Sequence, residues 1–288
     1  MRMSTTRQVV SAHVSDPRAR ILTEAKNGRQ ISVCIPARNE AGTIGTIVSA
    51  MRTDLVDAIP LIDEILVLDH ASTDGTAAIA REAGARVIDA DSILPEFGPA
   101  TGKGDVLWRS VAACTGDVIV WIDADLESFT FDYITTLLGP LLLDDHIALV
   151  RATYDRTLHG VSSEGGRVTE LTARPLLNLL HPHLSHIRQP LGGEYAIRRD
   201  VAESVPFEQD YGVEIGLLID VAAKWGVGSI TQVELGSRIH RNRPLAELHG
   251  QATQVARAVL SRSNNAHSWT AEPLRPALAS YLTMPLTT

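Results

Sequence analysis

Asp123-Ala124-Asp125 follows the apolar run VIVWI. In an extended chain residues i and i+2 point the same way, so this spacing predicts two carboxylates on one face at a strand end. Paired anions repel unless a cation lies between or beside them, and hard oxygen donors suit Mg2+ or Mn2+. Solvated carboxylates would read the same in isolation; the position after the most hydrophobic strand favours chemistry. Lys103 stands between Gly102 and Gly104 ahead of a helical pattern, where glycines let the backbone approach an anion and lysine adds a point charge. RIHRNR (238–243) packs three arginines and a histidine into six residues. If the chain stays extended there, Arg238, His240 and Asn242 share one side, as an anion and metal site requires. GGRVTE (165–170) opens a helix, where terminal N–H groups and a forked guanidinium at Arg167 suit phosphate or carboxylate. Glu214 falls in a helix's first turn, where the dipole favours any carboxylate, so a cap and a catalyst read alike.

These groups form two sets. Lys103, Asp125 and His240 with a metal suit a diphosphate. Arg167, Thr169 and Asn242 suit a second, smaller anion. A nucleotide-sugar donor and a small anionic acceptor account for both.

The elements that must carry these residues alternate. β-rich runs at 31–37, 64–70, 86–90, 117–126 and 146–155 are separated by helical patterns at 43–53, 76–85, 105–116 and 133–145, with Ser72–Gly75 capping the second helix. Strands that alternate with helices argue for α/β architecture with a parallel, doubly wound sheet. In such sheets ligands bind at the carboxyl ends of the strands, where Arg38-Asn39-Glu40, Asp69 and Asp123–Asp125 stand. The second half reads as a helix over 166–181, a strand over 189–199, a helix over 213–226, a strand over 229–239 and a helix over 245–262. The expected organisation is a polar arm (1–25), a nucleotide-sugar-binding half (26–150), an acceptor-binding half (151–262) packed with it as one unit, and a mobile tail (263–288).

Composition narrows the options. The 288 residues carry 44% hydrophobic and 21% charged side chains, enough for a large core and against disorder. A formal charge of −8 speaks against nucleic acid as partner. No apolar run approaches the ~18 residues of a membrane span, and the first residues lack the apolar core of a secretory signal. The two cysteines, Cys34 and Cys114, read as buried thiols in a reducing cytoplasm.

PARNE (36–40), the Asp69–Thr76 segment, GKG (102–104), DAD (123–125), GGRVTEL (165–171), ARPLL (173–177), QPLGGEYA (189–196), YGVEIGLLID (211–220) and HRNRPL (240–245) resemble the glucosyl-3-phosphoglycerate synthases. These are retaining glycosyltransferases of GT-A fold, with a Rossmann-like nucleotide-sugar-binding sheet and an integrated acceptor-binding half. The match runs over about residues 29–262. It implies that glucose passes from UDP-glucose, or a related nucleotide sugar, to the 2-hydroxyl of 3-phosphoglycerate with Mg2+ or Mn2+. Residue by residue it implies a donor site of Pro36, Ala37, Asn39, Glu40, Asp69, Lys103, Asp123 and Ala124, with Asp69 near the base and Lys103 at the diphosphate. Asp125 and His240 would ligate the metal. Gly166, Arg167, Thr169, Arg238 and Asn242 would hold the acceptor, and Glu214 would face the sugar or the acceptor hydroxyl beside Asp125 and Lys103 as the catalytic group. A homodimer is also implied. The chain departs from the family at His70-Ala71, Ala124, Glu164 and Gly192, where Ser-Gly, Ser, Gly and Ser are usual. The competing readings are a GT-A enzyme acting on another small anionic or hydroxylated acceptor, and a catalytically silent sugar-nucleotide-binding protein.

Overall fold

Alternation within the apolar runs decides the two faces of the sheet. In strand β1 (Ile31–Ala37) Val33 and Ile35 face one helical layer and Cys34 the other, all fully buried. In β4 (Val118–Trp121) Val118 and Val120 oppose Ile119 and Trp121 in the same way. Such period-two burial on both sides is what a central strand covered by two helical layers requires. The computed structural model describes residues 17–127, 129–158, 161–163, 166–238, 248–263 and 274–282.

The remaining strands are β2 (Glu64–Asp69), β3 (Arg86–Asp89), β5 (Leu149–Leu158), β6 (Val161–Ser163), β7 (Tyr195–Arg198) and β8 (Ile230–Arg238). They join one sheet in the order β3-β2-β1-β4-β7-β5-β6, with β8 pairing with β5. The pairs β3/β2, β2/β1 and β1/β4 are parallel, as the alternation predicts. β7 departs from that pattern: it inserts antiparallel between β4 and β5, so the sheet runs unbroken from the first half into the second. Helices α1 (Pro17–Ala25), α2 (Ile44–Met51), α3 (Thr76–Glu82) and α5 (Asp132–Leu143) cover one face. The other face carries α4 (Lys103–Ala113), α6 (Arg174–Leu180), α7 (Arg199–Glu203), α8 (Val213–Trp225), α9 (Leu248–Ser261) and α10 (Leu278–Leu282). Cys34 and Cys114 are both free and buried.

Several sequence expectations need correction. The arm expected over 1–25 is, from Pro17, helix α1, which buries Ala19 and Leu22 in the layer formed with α5. Two apolar residues three apart suffice for that narrow contact, although the segment is polar on average. The tail expected over 263–288 returns to the fold at 274–282: Phe207 and Arg275 form a β-bridge and Leu278 is buried. The strand expected over 117–126 stops at Trp121, the last residue paired with β1, and Ala124-Asp125 lie in a turn. The strand expected over 189–199 is confined to Tyr195–Arg198. Within Ser72–Gly75 the N-cap position of α3 is Gly75, at φ 90° and without a side chain, so the first N–H of the helix is capped from Asp74, one residue earlier. The Asp74 carboxylate accepts from Thr76 N (3.1 Å) and from Ala41 N (3.1 Å), tying two loops together.

Candidate active site

The loops after β1, β2 and β4 converge because parallel strands end on the same edge of the sheet. Asn39 makes the sharp exit from β1 at φ 58°, a left-handed conformation that asparagine tolerates. Its side chain accepts from Thr73 N at 2.8 Å, and its own N–H donates to Ser72 Oγ at 3.0 Å. Glu40 N donates to Thr76 Oγ1 at 2.8 Å, and Thr43 Oγ1 donates to the Ala124 carbonyl at 2.6 Å. The three strand ends are thereby pinned to one another.

They enclose a cleft of about 470 Å³ lined by Pro36, Ala37, Arg38, Glu40, His70, Thr101, Gly102, Lys103, Val106, Asp123, Ala124, Asp125, Asp210 and Tyr211. The expected donor residues Pro36, Ala37, Glu40, Lys103, Asp123 and Ala124 are brought together there, with Asp125. Asn39 and Asp69 are not among the lining residues and brace its frame, Asp69 by accepting from Ser72 N at 3.4 Å. Arg38, from the strand-end cluster Arg38-Asn39-Glu40, also lines the cleft, as do four residues outside the expected donor set, His70, Thr101, Asp210 and Tyr211. Tyr211 lies inside the YGVEIGLLID block and Thr101 precedes GKG, so adjacency is the signal that marks them. His70 is anchored by a 3.0 Å hydrogen bond between Nε2 and the Ala100 carbonyl.

Lys103 opens α4 and reaches the centre of the cleft wall. Its Nζ lies 2.9 Å from Asp123 and 2.8 Å from Glu214. Burial acts to lower the Lys103 pKa, but the Asp123 and Glu214 carboxylates outweigh it and hold the ammonium well above the ordinary lysine value. A raised folded-state pKa stabilises the fold below the unfolded value and loses that contribution as pH rises through the folded one. Lys103 therefore stays charged through neutrality. We expect no limb from it in a pH–activity profile below about pH 10.4, which a rate profile from pH 6 to 9.5 checks.

Glu214 stands in the first turn of α8 and is 2% exposed. Two glycines make the clustering possible. A Cβ on Gly104 would strike the Glu208 carbonyl, so in GKG this glycine admits neighbouring backbone rather than an anion. A Cβ on Gly193 would collide with the Asp123 carboxylate.

Beneath them Arg151, fully buried, donates from Nη2 to the carbonyls of Gly192 (2.9 Å), Pro190 (3.1 Å) and Gln189 (3.4 Å), with its guanidinium 4.6 Å from the Tyr195 ring centre. It holds the loop that presents Gly193 to Asp123. Arg151→Met strands those carbonyls, and we expect a loss of about 1–3 kcal/mol, measurable by urea denaturation.

Asp123 and Asp125 offer oxygen donors within one cleft, which fits a hard divalent cation. Among the described residues no group of three or more His, Cys, Asp or Glu forms a metal cage. The expected partner His240 lies outside the described residues, as do Asn242 and Glu164. Arg167 is exposed and lines a separate depression with Val168, Leu171, Thr172, Leu248, His249 and Ala252. Gly166, half-buried, precedes it. Thr169 is 2% exposed and begins a π-helical turn, Thr169–Ala173, whose other end, Ala173, is also buried. Arg238 ends β8, paired with Arg156.

The profile of glycosyl transferase family 2 matches residues 32–187. The glucosyl-3-phosphoglycerate synthase of Mycolicibacterium smegmatis is 49% identical over 84% of this chain and 80% of its own. That of Petrotoga mobilis is 47% identical over 82% and 74%. A crystal structure of the Mycobacterium tuberculosis glucosyl-3-phosphoglycerate synthase with Mn2+, UDP-glucose and phosphoglyceric acid superposes with a TM-score of 0.82 at 44% identity, covering 90% of this chain and 94% of that one. The same enzyme has been crystallised with Mn2+, UDP-glucose and glycerol 3-phosphate. With a sheet of GT-A type, a carboxylate-lined cleft at its strand ends and relatives of this identity along most of its length, the chain belongs to the glucosyl-3-phosphoglycerate synthases, within glycosyl transferase family 2.

Proposed function

We propose that the protein transfers glucose from UDP-glucose to the 2-hydroxyl of 3-phosphoglycerate, with retention, using Mg2+ or Mn2+. The observation that carries this is the cleft itself: Lys103 held between Asp123 and Glu214, with Asp125 beside them, in a chain 49% identical to a named synthase. Asp125 and His240 would hold the cation, with Asp123 next to it, and the bound cation supplies Lewis-acid stabilisation of the departing diphosphate. Lys103 adds a fixed positive charge at that diphosphate, an electrostatic contribution that needs no proton transfer. Glu214 fixes the Lys103 ammonium and would lie nearest the sugar. Gly166, Arg167, Thr169, Arg238 and Asn242 would receive the acceptor's phosphate and carboxylate.

Incubation with UDP-glucose, Mg2+ and 3-phosphoglycerate, followed by UDP release and product mass, tests the reading. We expect UDP release to depend on the acceptor. Donor hydrolysis that 3-phosphoglycerate does not stimulate would replace it with another acceptor, and binding without turnover would make the protein a silent binder. The assignment of Arg167 is tested separately. Arg167→Ala should raise the KM for 3-phosphoglycerate by about tenfold or more, the value of one charge-assisted contact, and leave UDP affinity unchanged. Equal losses for both ligands would merge the two anion sites into one.

We also propose a cytoplasmic homodimer. Two free, buried cysteines support a reducing compartment. Leu171 and Leu179, 74% and 77% exposed beside α6, support an apolar interface, and sedimentation of Leu179→Glu tests it: a monomer is expected, an unchanged dimer would move the interface elsewhere.

A further inference from the structure

The C-terminal segment reaches the cleft from behind. Arg275 N donates to the Phe207 carbonyl at 3.1 Å, and Phe207 N donates back to the Arg275 carbonyl at 3.3 Å. The Arg275 side chain forms a two-point pair with Asp105, Nε to Oδ1 at 2.9 Å and Nη2 to Oδ2 at 3.2 Å. Its guanidinium lies 5.3 Å from the Phe97 ring centre and 5.5 Å from that of Trp108. Trp108 Nε1 in turn donates to the Pro276 carbonyl at 3.0 Å.

Asp105 is fully buried in the first turn of α4, two residues beyond Lys103. Its N–H donates to the Gln209 carbonyl at 2.9 Å, and its Oδ2 accepts from Thr101 N at 3.1 Å. It therefore touches both segments that form this side of the cleft, Thr101–Lys103 and the loop ending in Asp210-Tyr211. Arg275 grips the first through the Asp105 carboxylate and the second through the Phe207 backbone.

We infer that Arg275 is a positioning residue and that the segment around it is a latch, which sets the spacing between the Lys103 wall and the Asp210-Tyr211 wall of the donor cleft. Among the described residues of the segment, 274–282, none lines the cleft, so it acts through the residues it grips, Asp105 and Phe207 first among them. The inference rests on the donor reading of the cleft given above. A displacement of the order of 1 Å in a group that grips a substrate is enough to change binding and turnover strongly. Removing Arg275 leaves Asp105 with Arg109, whose Nη2 lies 3.4 Å away, so the buried carboxylate keeps a cation and the fold survives.

The test uses full-length Arg275→Ala and Arg275→Lys. Calorimetry with UDP and Mn2+ should show affinity weakened about tenfold in Arg275→Ala, with the KM for UDP-glucose raised to match and the KM for 3-phosphoglycerate unmoved. Arg275→Lys should regain part of the loss, since lysine restores the charge but not the two-point geometry. Hydrogen exchange should rise in Arg275→Ala at 101–107 and 207–213 while β1 and β2 stay protected. Exchange that is unchanged, or that rises evenly through the fold, overturns the latch, as does an equal shift in both KM values. Failure of the unmodified protein to bind UDP would sink the donor reading instead, and the exchange pattern would still decide whether Arg275 couples the two walls.

Discussion

Lys103→Met should lower turnover with UDP-glucose by about 10²–10³-fold, the usual cost of deleting one preorganised charge at a developing anion. The same change should damage the fold, and for a separable reason. Lys103 is the cation between Asp123 and Glu214, and the Glu214 side chain is only 3% exposed. Without the ammonium, a buried carboxylate faces a second one. Breaking such a pair from one side costs about 3–5 kcal/mol, limited by the option of taking up a proton. Adding Glu214→Gln removes the stranded charge, so the double variant should recover stability but not activity. Denaturation of both variants, beside their rates, makes the comparison. Equal stability of single and double variants would mean that Glu214 gains nothing from Lys103.

Asp125→Ala should lose about 10³-fold or more in turnover, several kcal/mol of transition-state stabilisation, while its melting temperature moves far less. Asp125 stands in the turn after β4, lines the cleft and is only partly buried, so the fold asks little of it. The metal is the reason for the large effect: Asp123 and Asp125 line one cleft and offer the hard oxygen donors that suit a divalent cation. Mn2+ binding to the protein without substrate, followed by calorimetry, should weaken in the same variant. Full activity of protein shown to be metal-free, in the presence of chelator, would end the idea.

The two faces of the sheet and the edge that carries the site are written in local pattern. Period-two burial in ISVCIPA and VIVWI made two-sided strands, helical spacing between them made the crossovers, and the polar residues at strand ends had nowhere to lie but one edge of a parallel sheet. The carboxylates Asp123 and Asp125 and the lysine of GKG were legible for that reason, and the longer blocks such as YGVEIGLLID carried the family. Tertiary structure decided what depends on chain segments meeting across long distances. Nothing near Lys103 announces that Glu214 will reach it, and Gly104 looks like an anion-binding glycine until the Glu208 carbonyl occupies its Cβ position. Thr169 has the right type for an anion site, but nothing in its local pattern announces that it will be 2% exposed. The segments at 17–25 and 274–282 are short and flanked by polar sequence, so nothing local marks them as packed elements. Leu22 and Leu278 bury themselves only because α5 and the cleft-bearing layer are already there to receive them, and Arg275 docks because a buried Asp105 is waiting. A charge in the interior must be met by its opposite, and which residue of the chain meets it is settled only when the fold closes.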